Sequence, residues 1–337
     1  MRVRLVGHSG EPCMKVGKNG AWYSFVKVLE SNGFEVVTKP YGAPVDALIA
    51  NTHSQRAIKE SKSNNVDRKM RVLILWEPKT TNHKLHKSSV LDQYSNIYSP
   101  TKEWGHDYKV RLFKWPVLKL KTRTFAINHW SQRQNKAVMI LANKSSPIKG
   151  QLYSVRRKLA ILTSRSQTMD LYGLSWNEKS LSNYFMYLGR LIRTPLSLID
   201  VKSWKNLNSK LDNFYGVCEN KRDISENYRI IVVIENSKTY ISEKFFDAHD
   251  SGAIVIYSGA QLSKFGIPNT AAVQVEPNAL KISEAIEHIQ SLSIKEQYDL
   301  MKSQQKAILS VAKDWFGNQT MTQLAQDISK QLKKGIK

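Results

Sequence analysis

Short apolar runs of strand length alternate along the chain with stretches whose apolar residues recur every three or four positions. Residues 2–6 and 34–37 have the strand pattern, and residues 22–29 between them have apolar side chains at helical spacing. Gly33 follows that stretch as a predicted helix C-cap. The strand pattern recurs at 46–50, 72–76, 95–99 and 109–113. Strands that alternate with helices form parallel sheets covered on both faces, so the sequence predicts an α/β fold.

The alternation is interrupted at residues 115–135, which contain the basic stretch 119–123 and no clear period. It then restarts, with strands predicted at 137–141, 169–172, 230–234, 253–257 and 271–275 and helices at 147–164, at 203–214, from Ser242 and through the last fifty residues. We therefore predict two doubly wound domains, residues 1–130 and 136–310, followed by a C-terminal helix and basic tail at 311–337.

Composition narrows the class of protein. The chain has 337 residues, of which 41% are hydrophobic, enough for packed cores and too many for a disordered chain. Its two cysteines, Cys13 and Cys218, are too few for a disulfide framework or a four-thiolate zinc site, which favours a reducing compartment. No apolar run approaches the roughly 20 residues of a membrane-spanning helix, and no apolar signal segment follows Met1. We therefore expect a cytoplasmic protein.

The charge of the chain is strongly positive, with 51 Lys and Arg against 28 Asp and Glu and a net charge of +23. Nucleic acid, an anionic lipid surface and a phosphorylated small molecule are all suitable partners. A nucleic-acid-binding protein stays open as an alternative of a different class, but it is disfavoured because the basic residues are spread along the chain without an arginine-rich arm. The lysines of residues 330–337 predict peripheral contact with the anionic inner surface of a membrane.

Residues 228–259 hold the strongest functional signal, a strand, a polar turn, a short helix and a second strand. The helix opens with Ser242-Glu243-Lys244, and a helix N-terminus offers unpaired N–H groups and a positive dipole end to a phosphate. Lys244 adds a full charge, and Glu243 can accept hydrogen bonds from sugar hydroxyls. A purely structural role fits the same residues, with Ser242 as the helix cap and Glu243 complementing the dipole.

The order Glu-Asn-Ser, Tyr-Ile-Ser-Glu-Lys and Gly-Ala-Ile-Val-Ile-Tyr-Ser-Gly within this stretch resembles the donor-binding signature of the α-1,3/1,4-fucosyltransferase family. The resemblance covers residues 136–280 well and the N-terminal half loosely. It implies a GT-B fold, with two Rossmann-like doubly wound domains facing a cleft. It also implies an inverting glycosyltransferase that moves fucose from GDP-fucose, its donor substrate, to a hydroxyl of a glycan or glycolipid acceptor.

The resemblance also assigns roles to residues of the turn and helix. Asn236, Tyr240, Glu243 and Lys244 match the donor contacts of the family. By this match Lys244 would face the diphosphate, and Glu243 would bind hydroxyls of the ribose or the fucose. These four residues are the predicted core of the donor site.

A second block of the family, which carries a phosphate-binding arginine, corresponds to residues 142–153 and places Lys149 at the arginine position. Lysine keeps the charge but lacks the bidentate fork of arginine. Arg156 or Arg157, about two turns along the next helix, is the candidate to supply the fork, although a solvated helix face would explain both. The departure leaves open another nucleotide sugar as the donor.

An inverting transfer needs a base that takes the proton of the acceptor hydroxyl. Glu77 follows the apolar strand 72–76, and the run Trp76-Glu77-Pro78 resembles the strand-end turn in which the family carries its proposed base. An ordinary glutamate at the start of a loop is the alternative interpretation. No Asp-Xaa-Asp motif occurs in the sequence, so we predict that no metal takes part and that lysine, arginine and a helix dipole stabilise the diphosphate.

Overall fold

The computed structural model describes residues 1–7, 21–38, 41–101, 110–117, 120, 125–176, 188–189, 191–192, 196, 199 and 211–336. The chain forms two compact units. The first unit contains Met1–Lys119 and Lys313–Lys337, and the second contains Leu120–Ala312. The division falls inside segment 115–135, whereas the C-terminal residues, which the sequence set apart as a separate helix and tail, belong to the first unit.

A parallel sheet forms the centre of the first unit. In sheet order, the strands of its described residues are β2 (Glu35–Val37), β1 (Arg2–Val6), β3 (Ala47–Ala50), β4 (Arg71–Ile74), β5 (Asn96–Ser99) and β6 (Val110–Leu112). Each neighbouring pair is parallel. The strands predicted for this half of the chain are confirmed. Strands β3 and β4 are buried along their whole length, as suits apolar runs covered on both faces, whereas β2 and β6 are partly exposed.

Helices cover this sheet, and the C-terminal helix Gly317–Ile336 is one of them. The helices from the N-terminal part of the chain are α1 (Ala21–Ser31), α2 (Gln55–Ser63) and α3 (Ser88–Leu91). Gly33 has a φ of +86°, which confirms the predicted cap after α1. Leu332 of the C-terminal helix is fully buried in the core, while Lys330, Lys333 and Lys334 are exposed. Deleting the basic tail would therefore damage the core, so a test of membrane contact needs lysine substitutions instead.

A second parallel sheet forms the centre of the second unit. In sheet order, the strands of its described residues are β11 (Val273–Gln274), β10 (Ile254–Ser258), β9 (Tyr228–Ile234), β7 (Gln134–Ile140) and β8 (Met169–Tyr172). All seven residues of the central strand β9 are buried, and the continuous apolar run 230–234 within it predicts a strand covered on both faces. Alternate side chains of β9 point to opposite faces, so Ile230 and Val232 enter one core while Ile231 and Val233 face the other side of the sheet.

The helices described in the second unit are α4 (Ile127–Trp130), α5 (Tyr153–Ser166), α6 (Lys221–Ser225), α7 (Glu243–Asp250), α8 (Ala279–Ser291) and α9 (Ile294–Ala312). Apolar residues of α5, α8 and α9, among them Leu159, Ile286 and Met301, pack on one face of the sheet. Helix α7 connects β9 to β10 and begins at the carboxyl end of β9. It is therefore placed where doubly wound sheets bind their ligands.

The predicted start of α5 at Pro147 is wrong, because the helix begins at Tyr153. The residues before it form a turn at 149–150 and are held by contacts with another part of the chain. Leu152 donates its backbone N–H to the Asn236 carbonyl at 3.0 Å, and Gln151 forms a bridge with Ser237. The predicted helix 203–214 lies mostly outside the described residues, and in the part described Asn213 accepts a backbone hydrogen bond from Leu171 of β8.

The buried His249 on α7 is expected to make the folded protein less stable in acid. Its side chain is only 4% exposed, neither ring nitrogen has a hydrogen-bond partner among the described residues, and burial lowers its pKa to about 3. The unfolded chain takes up a proton near pH 6.5 and the folded chain does not, so stability falls as the pH drops from about 6.5 towards 3. By pH 5 we expect a loss of about 2 kcal/mol in the free energy of unfolding.

Urea denaturation at pH 7.5 and pH 5 measures this loss. His249→Leu, which cannot take up a proton, should lose about 2 kcal/mol less than the wild type between the two pH values. The exposed His288 provides the control variant, His288→Leu. His86 keeps its own contribution in both variants, since burial lowers its pKa to about 4. An unchanged pH dependence in His249→Leu would contradict the prediction.

Candidate functional site

The candidate site lies at the carboxyl end of β9, where the chain turns into α7. Glu235 is the first residue after the strand and is completely buried. Both of its carboxylate oxygens lie 2.9 Å from the Ser242 hydroxyl, and the Ser242 backbone N–H donates to Oε1 at 2.8 Å. Ser242 is also the N-cap of α7 and accepts a hydrogen bond from the Lys244 backbone N–H. The buried carboxylate therefore fixes the first turn of the helix.

Lys244 extends this network towards solvent. Its ammonium donates to the Ser242 hydroxyl at 3.0 Å and lies 3.4 Å from Glu243 and 3.8 Å from Glu235. Burial raises the pKa of Glu235, and the positive charge of Lys244 opposes that rise. The lysine side chain is 19% exposed, so an incoming anion can reach it. The first turn of α7 therefore combines a positioned lysine with the positive end of a helix.

Asn236, the second residue after β9, is held by an arginine from α5. Arg156 donates to the Asn236 side-chain oxygen at 2.9 Å and to the backbone carbonyl of Ile234. The arginine is 3% exposed, and its guanidinium lies 5.0 Å from the Tyr153 ring centre. Tyr240 is also buried and lies close enough to Arg156 to affect its pKa. The structure thus brings together three of the predicted donor-binding residues, Asn236, Tyr240 and Arg156. The buried Arg156 holds the turn through its hydrogen bonds to Asn236 and Ile234.

Lys149 and Arg157 have different surroundings. Lys149 is exposed in the turn just before the Gln151–Ser237 bridge, so this cation lies beside the residues that follow β9. Arg157 is buried and donates to the Lys144 carbonyl at 2.8 Å. Both arginines proposed to supply a fork make internal contacts, whereas Lys149 is exposed, as is Lys144 of the same block.

A cavity of about 390 Å³ opens beside Lys244. Its wall combines the end of β7, the outer face of β9, residues 219–225 and one face of α7. Asp247 on that face is accessible to solvent, yet it is enclosed enough that burial raises its pKa, with Glu243 adding to the rise. The volume falls within the range of about 300–1,000 Å³ that small-molecule sites occupy. Lys244 belongs to both the cavity and the helix terminus.

Glu77, the predicted base, lies in the first unit. It is half-buried in a bend three residues beyond the end of β4. The backbone carbonyl of Glu77 lies 2.9 Å from the His86 ring nitrogen Nε2, which fixes the bend. The strand ends two residues before its predicted end at Trp76, and Glu77 lies in the loop that follows it.

Glu235 is a residue of the candidate site to which the sequence assigns no role of its own. Its signal was present, because it is an acidic residue placed directly after a fully apolar strand and seven residues before a helix-capping serine. Gly259 allows its close packing, since a Cβ there would lie 2.8 Å from the Glu235 side chain and 2.4 Å from the Tyr257 hydroxyl. Such a close approach is invisible in the sequence order alone.

No protein-family model and no curated protein matches the sequence. Solved structures do match nearly the whole chain. An α1,3-fucosyltransferase is 14% identical with a TM-score of 0.55, over 99% of this chain and 90% of that one. Sucrose-phosphate synthase from Thermosynechococcus elongatus is 11% identical with a TM-score of 0.57, over 99% of both chains. HepE from Anabaena, solved with UDP and glucose, is 12% identical with a TM-score of 0.52, over 98% of this chain and 100% of that one.

These likenesses define the class of fold. The chain has the GT-B fold of glycosyltransferases, with two α/β domains built on parallel sheets, as the resemblance implied. None of the described helices is both long and apolar enough to cross a membrane. No group of three His, Cys, Asp or Glu residues among those described is arranged to hold a metal ion, and the metal-independent reaction stays a prediction.

Proposed function

We propose that the chain is an inverting glycosyltransferase that moves fucose from GDP-fucose to a hydroxyl group of a glycan or glycolipid. The observation that carries the proposal is the first turn of α7, where Ser242, Glu243 and Lys244 lie together at the strand ends of a GT-B domain. The positive end of the α7 dipole and the Lys244 ammonium supply the positive charge that a diphosphate needs.

The other donor-site residues take complementary roles in the proposal. Lys149 supplies a second positive charge beside the turn after β9. Arg156 acts through Asn236, which it holds in place for the sugar hydroxyls. The buried Tyr240 side chain packs beneath the turn and helps to fix its shape. Glu243, half-exposed at the helix start, accepts hydrogen bonds from ribose or fucose hydroxyls.

The proposed reaction is a single displacement. Glu77 takes the proton of the acceptor hydroxyl as its oxygen forms a bond to the anomeric carbon of fucose. The bond between that carbon and the diphosphate breaks, and GDP leaves with an additional negative charge. Lys244 and the dipole of α7 stabilise this charge in place of a metal ion.

A different class of nucleotide-sugar donor is also supported by an observation. The family arginine is replaced by Lys149, while Arg156 and Arg157 both make internal contacts, so the diphosphate would be held differently. Among the structures with the same fold, HepE was solved with UDP and glucose. A UDP-sugar is therefore the alternative donor.

A thermal-shift panel of GDP, UDP, CMP and TDP tests the function and the donor together. GDP at about 100 times its dissociation constant should stabilise the folded chain by about 2.7 kcal/mol, which raises the melting temperature of the second unit by several degrees. Release of GDP from GDP-fucose, with and without glycan acceptors, then tests transfer. Stabilisation by UDP alone would overturn the donor assignment.

The same panel includes a duplex DNA as the matched test of the alternative class. Stabilisation by DNA, steeply reduced by salt, without stabilisation by any nucleotide would overturn the glycosyltransferase proposal and favour nucleic acid binding.

A further inference from the structure

Four half-buried aromatic residues of the first unit lie together: Trp22, Trp76, Phe113 and Trp115, here termed the aromatic cluster. The Trp76 ring is its centre, with ring centres 6.2 Å from Trp22, 5.0 Å from Phe113 and 5.4 Å from Trp115, all edge to face. Trp76 follows β4, and Phe113 and Trp115 follow β6. The cluster therefore lies at the carboxyl edge of the sheet, where doubly wound sheets bind ligands.

The central ring of the aromatic cluster is held in a fixed orientation. The Trp76 indole N–H donates to the side-chain oxygen of Asn51, a buried residue directly after β3. One side of the cluster packs against the core of the first unit, and its members keep part of their surface accessible. A ring fixed in this way loses little further freedom when a ligand stacks on it.

A basic segment adjoins the aromatic cluster in the chain. Residues 79–87 contain three lysines, two histidines and no acidic residue. His86 folds the segment back onto the bend at Glu77, because its Nε2 lies 2.9 Å from the Glu77 carbonyl oxygen. Burial, together with the nearby Lys79 and His83, lowers the pKa of His86 to about 4. At neutral pH the ring is therefore uncharged and donates to the Glu77 carbonyl, and Lys79 lies close enough to affect its pKa.

We propose that the carboxyl edge of the first sheet around Glu77 binds an anionic saccharide, with a sugar ring stacked on the aromatic cluster and its phosphate, sulfate or carboxylate group held by the basic segment. The C–H bonds of a pyranose ring pack against the negative face of an indole. Lysine binds phosphate and similar anions as a point charge. The inference rests on the proposed function, since the saccharide is then the acceptor whose hydroxyl Glu77 deprotonates.

Charge complementarity selects an anionic over a neutral saccharide. Lys84 and Lys87 are exposed, and the segment offers no carboxylate of its own to neutralise them. A neutral sugar would use the aromatic cluster but leave these charges to solvent. The carboxylates that flank the segment in sequence are those of Glu77, which the proposed reaction needs as a free base, and of Asp92, five residues beyond Lys87.

A glycan array probed with the full-length chain tests the proposal. The array carries neutral saccharides and their phosphorylated, sulfated and uronic acid forms, so each anionic probe has its neutral parent beside it. We expect binding to the anionic forms at least tenfold tighter than to their parents, and the preferred anion separates phosphate, sulfate and carboxylate. Equal binding of the neutral parents, or no binding to any saccharide, would overturn the proposal.

Variants assign the binding to these residues. The double variant Lys79→Gln, Lys84→Gln should bind the preferred saccharide about tenfold more weakly, and Trp76→Ala should lose about tenfold or more. Matched controls are Lys59→Gln, Lys62→Gln on α2 and Tyr23→Ala on α1, which remove exposed side chains of the same kinds from the same unit. Trp76→Phe keeps an aromatic ring and disturbs the core less than Trp76→Ala does. It should retain most of the binding.

The anionic-saccharide proposal can fail while the proposed function holds, and the experiments distinguish the two cases. If nucleotides stabilise the chain and GDP is released while the array binds only neutral saccharides, the anionic acceptor is wrong and the transferase stands. If the lysine variants bind as the wild type does, the basic segment takes no part, whatever the nucleotide panel shows.

Discussion

Glu77→Gln is expected to lower the turnover number by about 10²–10⁴ while the dissociation constant of GDP stays unchanged. Glutamine has nearly the same size and shape but cannot accept the proton of the acceptor hydroxyl. The proposed nucleotide-binding residues belong to the second unit and Glu77 to the first, so the substitution should leave the proposed donor contacts intact. Steady-state release of GDP in the presence of acceptor gives the turnover number, and isothermal titration calorimetry gives the dissociation constant.

Glu30→Gln is the matched control, since Glu30 is an exposed glutamate of α1 in the same unit. It should keep wild-type turnover. Full activity in Glu77→Gln would show that another group is the base. A parallel loss of GDP affinity and turnover would point to a general change in folding, which the melting temperature of each variant checks.

Much of the fold was predictable because buried parallel strands leave a local signature. Residues 230–234 form one uninterrupted apolar, β-branched run, and such a run is typical of a strand covered on both faces. The start of α5 was not predictable in the same way. Its preceding residues have helix-compatible spacing, but Leu152 donates its N–H to Asn236, eighty-odd residues along the chain. Contacts between residues so far apart in the chain fix where a helix begins, and the local sequence gives no sign of them.

The same distinction applies to the candidate site. Ser242, Glu243 and Lys244 were predictable together because one helix start places them together. The support of Asn236 by Arg156 was not, because it depends on β7 and β9 being neighbours in the sheet. The C-terminal helix shows the limit again, since its apolar stripe predicts a helix but does not say which sheet it covers.

Lys244→Met is expected to weaken GDP binding by about 10- to 100-fold, because a charge-assisted hydrogen bond contributes about 1.5–3 kcal/mol. Methionine keeps the length and apolar stem of lysine but not the charge. The ammonium is also the nearest positive charge to the buried Glu235, at 3.8 Å, so its loss should lower the free energy of unfolding as well. Calorimetry with GDP and urea denaturation measure the two effects on the same protein.

Lys295→Met is a closely matched control, because Lys295 is an exposed lysine at the second position of α9, just as Lys244 is at the second position of α7. It should bind GDP as the wild type does. The double variant Lys244→Met, Glu235→Gln separates the two effects of the lysine. Neutralising the buried carboxylate should recover part of the stability lost in Lys244→Met, because no unpaired charge is left behind, while GDP binding stays weak. If Lys244→Met binds GDP with wild-type affinity, the N-terminus of α7 is not part of the donor site.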